Sequence, residues 1–218
     1  MISEKNLVVQ SNPLIEARYS LGETEQKLLR VLVSMINPTD TLEKHFYRLS
    51  IQDFAKFLHH SDVKSLHKEM RKIARHLKDA HVRVIKPDGN IIETSWIASF
   101  EYPRNKGWIE FEISSKLADE LLRVKEQFTK YYLANISKLK GEYSVRIYEL
   151  VQQYANSNMR SRTIGLEQLK MSLGAKYPAG TFFQRAIRPS HEEICAKTDI
   201  TFSFRPIKES RKIIAVEF

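Results

Sequence analysis

Residues Asp62 to Lys78 read DVKSLHKEMRKIARHLK, and the spacing within them decides the fold. Val63, Leu66, Met70, Ile73 and Leu77 recur at steps of three and four, which predicts a helix with one continuous buried stripe. Lys64, Lys68, Arg71, Arg75 and Lys78 stand on its flank, about 100° round the helix, and form a basic ridge. Upstream, Leu28, Leu29, Leu32, Val33, Met35 and Ile36 give an apolar face to a helix over 23–36, closed by Asn37 and Pro38. Ser50 stands where a cap belongs, with Asp53 three residues on, so Ile51, Phe54 and Leu58 mark a short helix, with His59, His60 and Ser61 as the next turn. Downstream, residues 82–85, the turn Pro87-Asp88-Gly89 and residues 91–96 read as a β-hairpin. Helix, short helix, long basic helix and hairpin are the parts of a winged helix. A second hairpin over 96–102 and 108–113, turning at Pro103 to Gly107, and a short helix over 116–122 extend this first domain.

The 218 residues, 42% of them apolar, have room for two modest cores. Lys and Arg number 35 against 26 acids, a net charge of +9 that favours a polyanionic partner. Residues 1–130 hold 21 basic and 18 acidic groups and residues 131–218 hold 14 and 8, so the second half should dominate attraction to nucleic acid. One cysteine, Cys195, excludes an intrachain disulfide and fits a reducing compartment, where it is expected as a partly buried structural thiol. Met1 to Gln10 lack the pattern of a secretory leader, and no run approaches the roughly 18 apolar residues that span a bilayer, so a cytoplasmic protein is expected.

The same order of elements then repeats. Adding 115 to the residue number carries Leu28, Leu32 and Ile36 onto Tyr143, Ile147 and Val151, and Leu49, Ile51, Phe54 and Leu58 onto Ile164, Leu166, Leu169 and Leu173. A second long helix follows over 181–195, then a hairpin over 199–218 in which Phe202 and Phe204 alternate, answered by Ile214, Val216 and Phe218. The fold class is therefore α+β, two tandem winged-helix domains, with residues 1–130 as the first, 131–218 as the second and a hinge over 126–137. Pro189 is awkward inside a helix and should kink it or start a new segment.

A winged helix lays its long helix in the major groove of double-stranded DNA and reaches phosphates with its hairpin. In the second domain Thr181, Gln184, Arg185 and Arg188 are the candidates for base readout, since arginine pairs bidentately with guanine and glutamine with adenine. Lys208, Arg211 and Lys212 near the last turn suit phosphates, as does the ridge from Lys64 to Lys78. No enzymatic constellation emerges. The seven histidines, His45, His59, His60, His67, His76, His81 and His191, never stand two apart as a nicking metal site requires, which leaves Tyr131-Tyr132 structural. No phosphate-cradling glycine loop exists, Glu192-Glu193 read as a solvent-facing pair on a helix, and no metal or cofactor is expected.

Three stretches carry a family likeness. They are Val9-Gln10-Ser11-Asn12 through Leu14-Ile15-Glu16-Ala17, with Tyr19-Ser20-Leu21 and Glu25-Gln26-Lys27-Leu28; Phe128-Thr129 and Tyr132-Leu133 leading into Tyr143-Ser144-Val145-Arg146-Ile147-Tyr148-Glu149-Leu150; and Arg185, Pro189, Glu193-Ile194, Thr198-Asp199, Arg211-Lys212 and Val216-Glu217-Phe218. In order and spacing these resemble the theta-type, iteron-binding plasmid replication initiators over nearly the whole chain. The resemblance implies a monomer that clamps one directly repeated origin site with both domains, the second giving most base readout and the first mostly backbone contact. It also implies a dimer that represses its own promoter at an inverted repeat, and contacts with the host initiator DnaA and the replicative helicase. Gln184 stands where an arginine is common, and Ser190 where alanine usually follows the proline, differences that bear on the sequence of the site. The residues alone do not separate an initiator from a dedicated repressor with the same fold.

Overall fold

The structure, a computed structural model, describes residues 2–36, 46–104, 106–121, 128–155 and 161–218. The chain opens with β1 (Leu7–Ser11), α1 (Asn12–Ile15) and α2 (Glu23–Ser34), followed by β2 (Phe46–Ser50), α3 (Ile51–Phe57) and α4 (Val63–Asp79). The Ser50 hydroxyl accepts the Asp53 N–H at 3.2 Å and the Asp62 carboxylate accepts the Ser65 N–H at 3.0 Å. Both helices thus begin where a side chain satisfies an N–H that the helix cannot. On α4, Leu66, Met70, Ile73 and Leu77 are buried while Val63 in the first turn stays at the surface. At roughly 1.5–3 kcal/mol for each buried side chain, that stripe fixes which flank α4 offers to solvent. The expected helix stop at Asn37 and Pro38, and Leu122, lie outside the described residues.

After α4 come two hairpins, β3 (His81–Ile85) with β4 (Ile91–Ser95), and β5 (Ile97–Glu101) with β6 (Trp108–Ile113). A 3-10 turn (Ser115–Leu117) and α5 (Ala118–Leu121) close the first unit. The second unit runs β7 (Phe128–Tyr132), α6 (Ala134–Ser137), α7 (Ser144–Ala155), β8 (Thr163–Gly165), α8 (Leu166–Leu173), α9 (Ala179–Phe182), a π-helical turn (Phe183–Ile187), α10 (Arg188–Lys197), β9 (Arg205–Glu209) and β10 (Lys212–Glu217). Both units are winged helices. Their sheets are ordered β2-β6-β5 and β8-β10-β9, so each places its last strand in the middle, paired with the strand that precedes the short helix.

This pairing relocates the first wing. The hairpin equivalent to β9–β10 is β5–β6, and β3–β4, which follows α4 directly and reads as the wing in the sequence, forms its own two-stranded sheet. It is an insertion between recognition helix and wing.

The repeat also differs from a uniform 115-residue shift. That offset holds for α3 and α8, which begin at 51 and 166. Two earlier pairs are shifted by 121 instead, β1 and β7 beginning at 7 and 128, and α2 and α7 at 23 and 144. Every residue from Ser144 to Leu150 is buried, so an apolar match on α7 carries little register information.

The expected hinge is not a hinge from Phe128 onward. There the chain forms β7, which crosses position 130 and pairs antiparallel with β1: Leu7 opposite Tyr132, Val9 opposite Lys130, Ser11 opposite Phe128. With a 121-residue offset this ladder is symmetric about Val9 and Lys130, so the first strands of the two units meet across a local twofold. In the terminal hairpin, Phe202 and Phe204 precede β9, and a bulge between Ile213 and Ala215 turns Ile214 out to 46% exposure while Ala215 and Val216 are buried.

Candidate nucleic-acid interface

The second unit builds its recognition segment as one helix in three pieces, α9, the π turn and α10. Arg188 donates its N–H five residues back to the Phe183 carbonyl. Pro189 has no N–H, and in an uninterrupted α-helix its ring would press on the carbonyl four residues earlier, that of Arg185. The wider turn ahead of it relieves that contact, and Pro189 becomes the second residue of α10. Phe182, Phe183, Ala186, Ile187 and Ser190 face inward. Gln184, Arg185 and Arg188 are exposed between them and Thr181 is half-buried, so all four candidates share one outward-facing stripe. The Arg185 guanidinium lies 5.8 Å from the centroid of the Tyr177 ring.

The stretch that leads into the wing is braced to that helix. His191 on α10 meets the Phe202 carbonyl at 2.7 Å, with Phe202 and Phe204 edge-on at 5.0 and 5.2 Å between ring centroids. Lys208, Arg211 and Lys212 are exposed around the β9–β10 turn, where Ser210 takes a positive φ of 54°.

A similar brace recurs in the first unit. His67 on α4 contacts the Tyr102 hydroxyl at 2.6 Å and the Lys106 carbonyl at 3.1 Å, tying the helix to the β5–β6 tip. Lys64, Lys68, Arg71, Arg75 and Lys78 are all exposed. Arg71, Arg75 and Lys78 also line one side of a cleft of about 520 Å³, with Ser99 and Tyr102 of the β5 strand and its end on the other. Asp79 lines it too, and the Ser99 and Tyr102 hydroxyls are taken by Glu112 and His67, so it is the three cations that suit phosphate oxygens.

Residues 7–152 match the family described as initiator replication protein, WH1, and residues 165–218 match initiator Rep protein, WH2. The chain belongs to this replication initiator family. Over 147 residues, 66% of its length, it is 26% identical to a replication initiation protein of Escherichia coli, covering 45% of that protein. It is 29% identical over 151 residues to the PI protein of Escherichia coli, covering 60% of this chain and 48% of that one. The chain spans about half the length of the curated relatives it matches. Its fold is similar to the crystal structure of the Pi initiator protein in complex with iteron DNA, with a TM-score of 0.78, 19% identity, and coverage of 99% of this chain and 97% of that one. A weaker likeness, TM-score 0.52 at 11% identity, joins 88% of it to 80% of a structure of domains 2 and 3 of RctB.

For the initiator, three features escaped the sequence. Arg104 and Lys106 sit at the tip of the true first wing, exposed like Lys208 and Arg211, and were legible only as turn residues while β3–β4 was read as the wing. Arg48 lies 3.9 Å over the ring of Trp108, the residue at which β6 leaves the turn of that wing. Glu193 is not a solvent-facing partner of Glu192. It accepts the backbone N–H groups of Lys140 and Gly141 at 2.9 and 2.8 Å and the Lys197 ammonium at 2.6 Å, locking α10 to the turn before α7. Among the described residues, no helix is long and apolar enough to cross a membrane.

Proposed function

We propose that this initiator binds double-stranded DNA through both winged helices and acts at a plasmid origin of directly repeated sites, iterons, one chain to a repeat. The reading rests on one observation: each unit exposes a basic helix that a histidine braces to a basic wing or to the stretch leading into it. Arg185 and Gln184 read base edges, flanked by Thr181 and Arg188, while Lys208, Arg211 and Lys212 neutralise phosphates. The α4 ridge of Lys64, Lys68, Arg71, Arg75 and Lys78 does the same one groove away. Residues 131–218 supply most of the sequence reading, and residues 1–130 supply backbone contact and the self-association surface. Recognition is geometric and electrostatic, with no bond-making residue, metal or cofactor. A dimer that represses its own promoter at an inverted repeat, docking of DnaA and the replicative helicase, and residence on plasmid DNA in a bacterial cytoplasm complete the proposal.

Footprinting on the DNA flanking the reading frame tests it. Protection of direct repeats beside an A·T-rich stretch is the expected result. Protection of a lone palindrome over a promoter would make the chain a dedicated repressor, which uses the same contacts, and no protection at all would remove the DNA-binding reading. A tyrosine-linked adduct on supercoiled origin DNA with a divalent metal would end the non-enzymatic part.

A further inference from the structure

The two winged helices meet across a charged cluster that water does not reach. Glu149 on α7 and Arg30 on α2 are both fully buried. Arg30 grips Glu149 with two parallel bonds, Nε to Oε1 at 2.6 Å and Nη2 to Oε2 at 2.5 Å. The same carboxylate accepts the Tyr131 hydroxyl at 2.5 Å and the Gln10 amide at 2.6 Å, one from each strand of the β1–β7 ribbon. One turn earlier on α7, Arg146 donates to the Tyr19 hydroxyl, to the Ala17 carbonyl at 2.8 Å and to the Ser172 carbonyl at 3.1 Å. Arg30 also donates to Tyr19, at 2.6 Å. The two guanidiniums therefore meet on the Tyr19 hydroxyl, with Arg30 alone bonding the Glu149 carboxylate, and β1, α2, β7 and α7 each supply a member.

Apolar side chains would hold two faces together at least as well as a buried ion pair. What the fork of Arg30 on Glu149 adds is direction: two parallel bonds fit one orientation, and a small slip of either unit strands a charge out of water. Glu149 matters most, because its loss leaves Arg30 and Arg146 buried with no counter-charge. We infer that Glu149 is a positioning residue that fixes the separation of α4 and α10, so that the initiator accepts a single number of base pairs between the two stretches of DNA it contacts. The inference rests on the reading that both helices engage DNA.

Selection from random-sequence duplexes several helical turns long tests it with the full chain. The wild type should enrich two sequence blocks at one spacing. On a selected duplex, inserting or removing one base pair between the blocks should weaken its binding at least about tenfold. Glu149→Gln should enrich the same blocks over two or more spacings, with the insertion penalty reduced to less than about threefold. The double variant Arg30→Met/Glu149→Met removes both charges of the fork together, keeps the volume filled, and should show the same spread if Glu149→Gln does not fold. A wild type indifferent to the inserted base pair overturns the inference without any variant. So does a folded variant that keeps the single spacing, or one that loses affinity equally at every spacing, as a merely structural role would produce. Absence of any enriched block with the wild type would instead remove the DNA-binding reading beneath it.

Discussion

At the scale of single residues, exposure and partners separate contacts that read sequence from contacts that sense charge. Arg185 stands on the outward stripe of the recognition segment, so Arg185→Ala should cost about 1–3 kcal/mol on the specific site and blur preference at one base pair. Titration of specific against scrambled duplex checks this, and equal loss on both would remove Arg185 from base readout. Lys208 lies beside the wing turn, and Lys208→Ala should weaken both duplexes alike and reduce the salt slope by about one. Glu193 gives a pH prediction. Burial pushes its carboxyl up, but the Lys197 ammonium, the Ser144 hydroxyl and the N–H groups of Gly141 and Lys140 outweigh that and hold it down to about 2. A carboxyl depressed in the folded state contributes stability above its unfolded value, and that contribution fades as pH falls toward the folded one. Urea denaturation should therefore find Glu193→Gln less stable than wild type at pH 7, with the gap closing as pH drops below the ordinary carboxylate range. A gap independent of pH would leave the latch with no electrostatic part.

At the scale of elements, local signals placed starts and turns well. Ser50 and Asp62 cap the helices they precede, and Asp62→Ala should destabilise the chain by about 1 kcal/mol through the lost bond to Ser65. Thermal denaturation reads this directly. Pro189 shows the limit of such signals, because sequence offered a kink or a fresh helix start, and the chain answers with a π turn that makes the proline an early residue of α10. Pro189→Ala should accordingly gain far less than the roughly 3 kcal/mol that removal of a proline from a helix interior returns. A gain of that size in urea denaturation would mean the proline strains the recognition segment. Gly174 ends α8 in the left-handed region at φ 68°, and a Cβ there would come within 3.0 Å of Ser20, so one glycine serves both the helix end and the contact between units.

For the whole molecule, the charged cluster between the units is the feature with the largest consequence for stability. Burial alone would raise the Glu149 carboxyl, yet Arg30 and Arg146 hold it below its ordinary range, so it remains ionised in the interior. Glu149→Gln should destabilise the chain by roughly 3–5 kcal/mol, and the paired Arg30→Met/Glu149→Met change by less, since it leaves one buried guanidinium, Arg146, without a counter-charge instead of two. Urea denaturation of both variants against wild type separates the two, and equal losses would show that packing rather than charge holds the units together. Of this cluster, Gln10, Tyr19, Arg146 and Glu149 were named in the sequence only within family stretches, Tyr131 only as a structural residue, and Arg30 not at all. Gln10 and Glu149 are 139 residues apart, and no periodicity reports that two such groups will meet.

The sequence by itself determined the two winged helices, their basic helices and the residues on the outward stripes, because helix period, capping and turn chemistry act within a few residues of each other. Tertiary structure alone decided which hairpin is the first wing, which side chains join the two units, and that Glu193 turns inward. Those outcomes depend on strand pairing and on charges brought together from distant parts of the chain, and the free energy of such contacts is set by a geometry that no local pattern encodes.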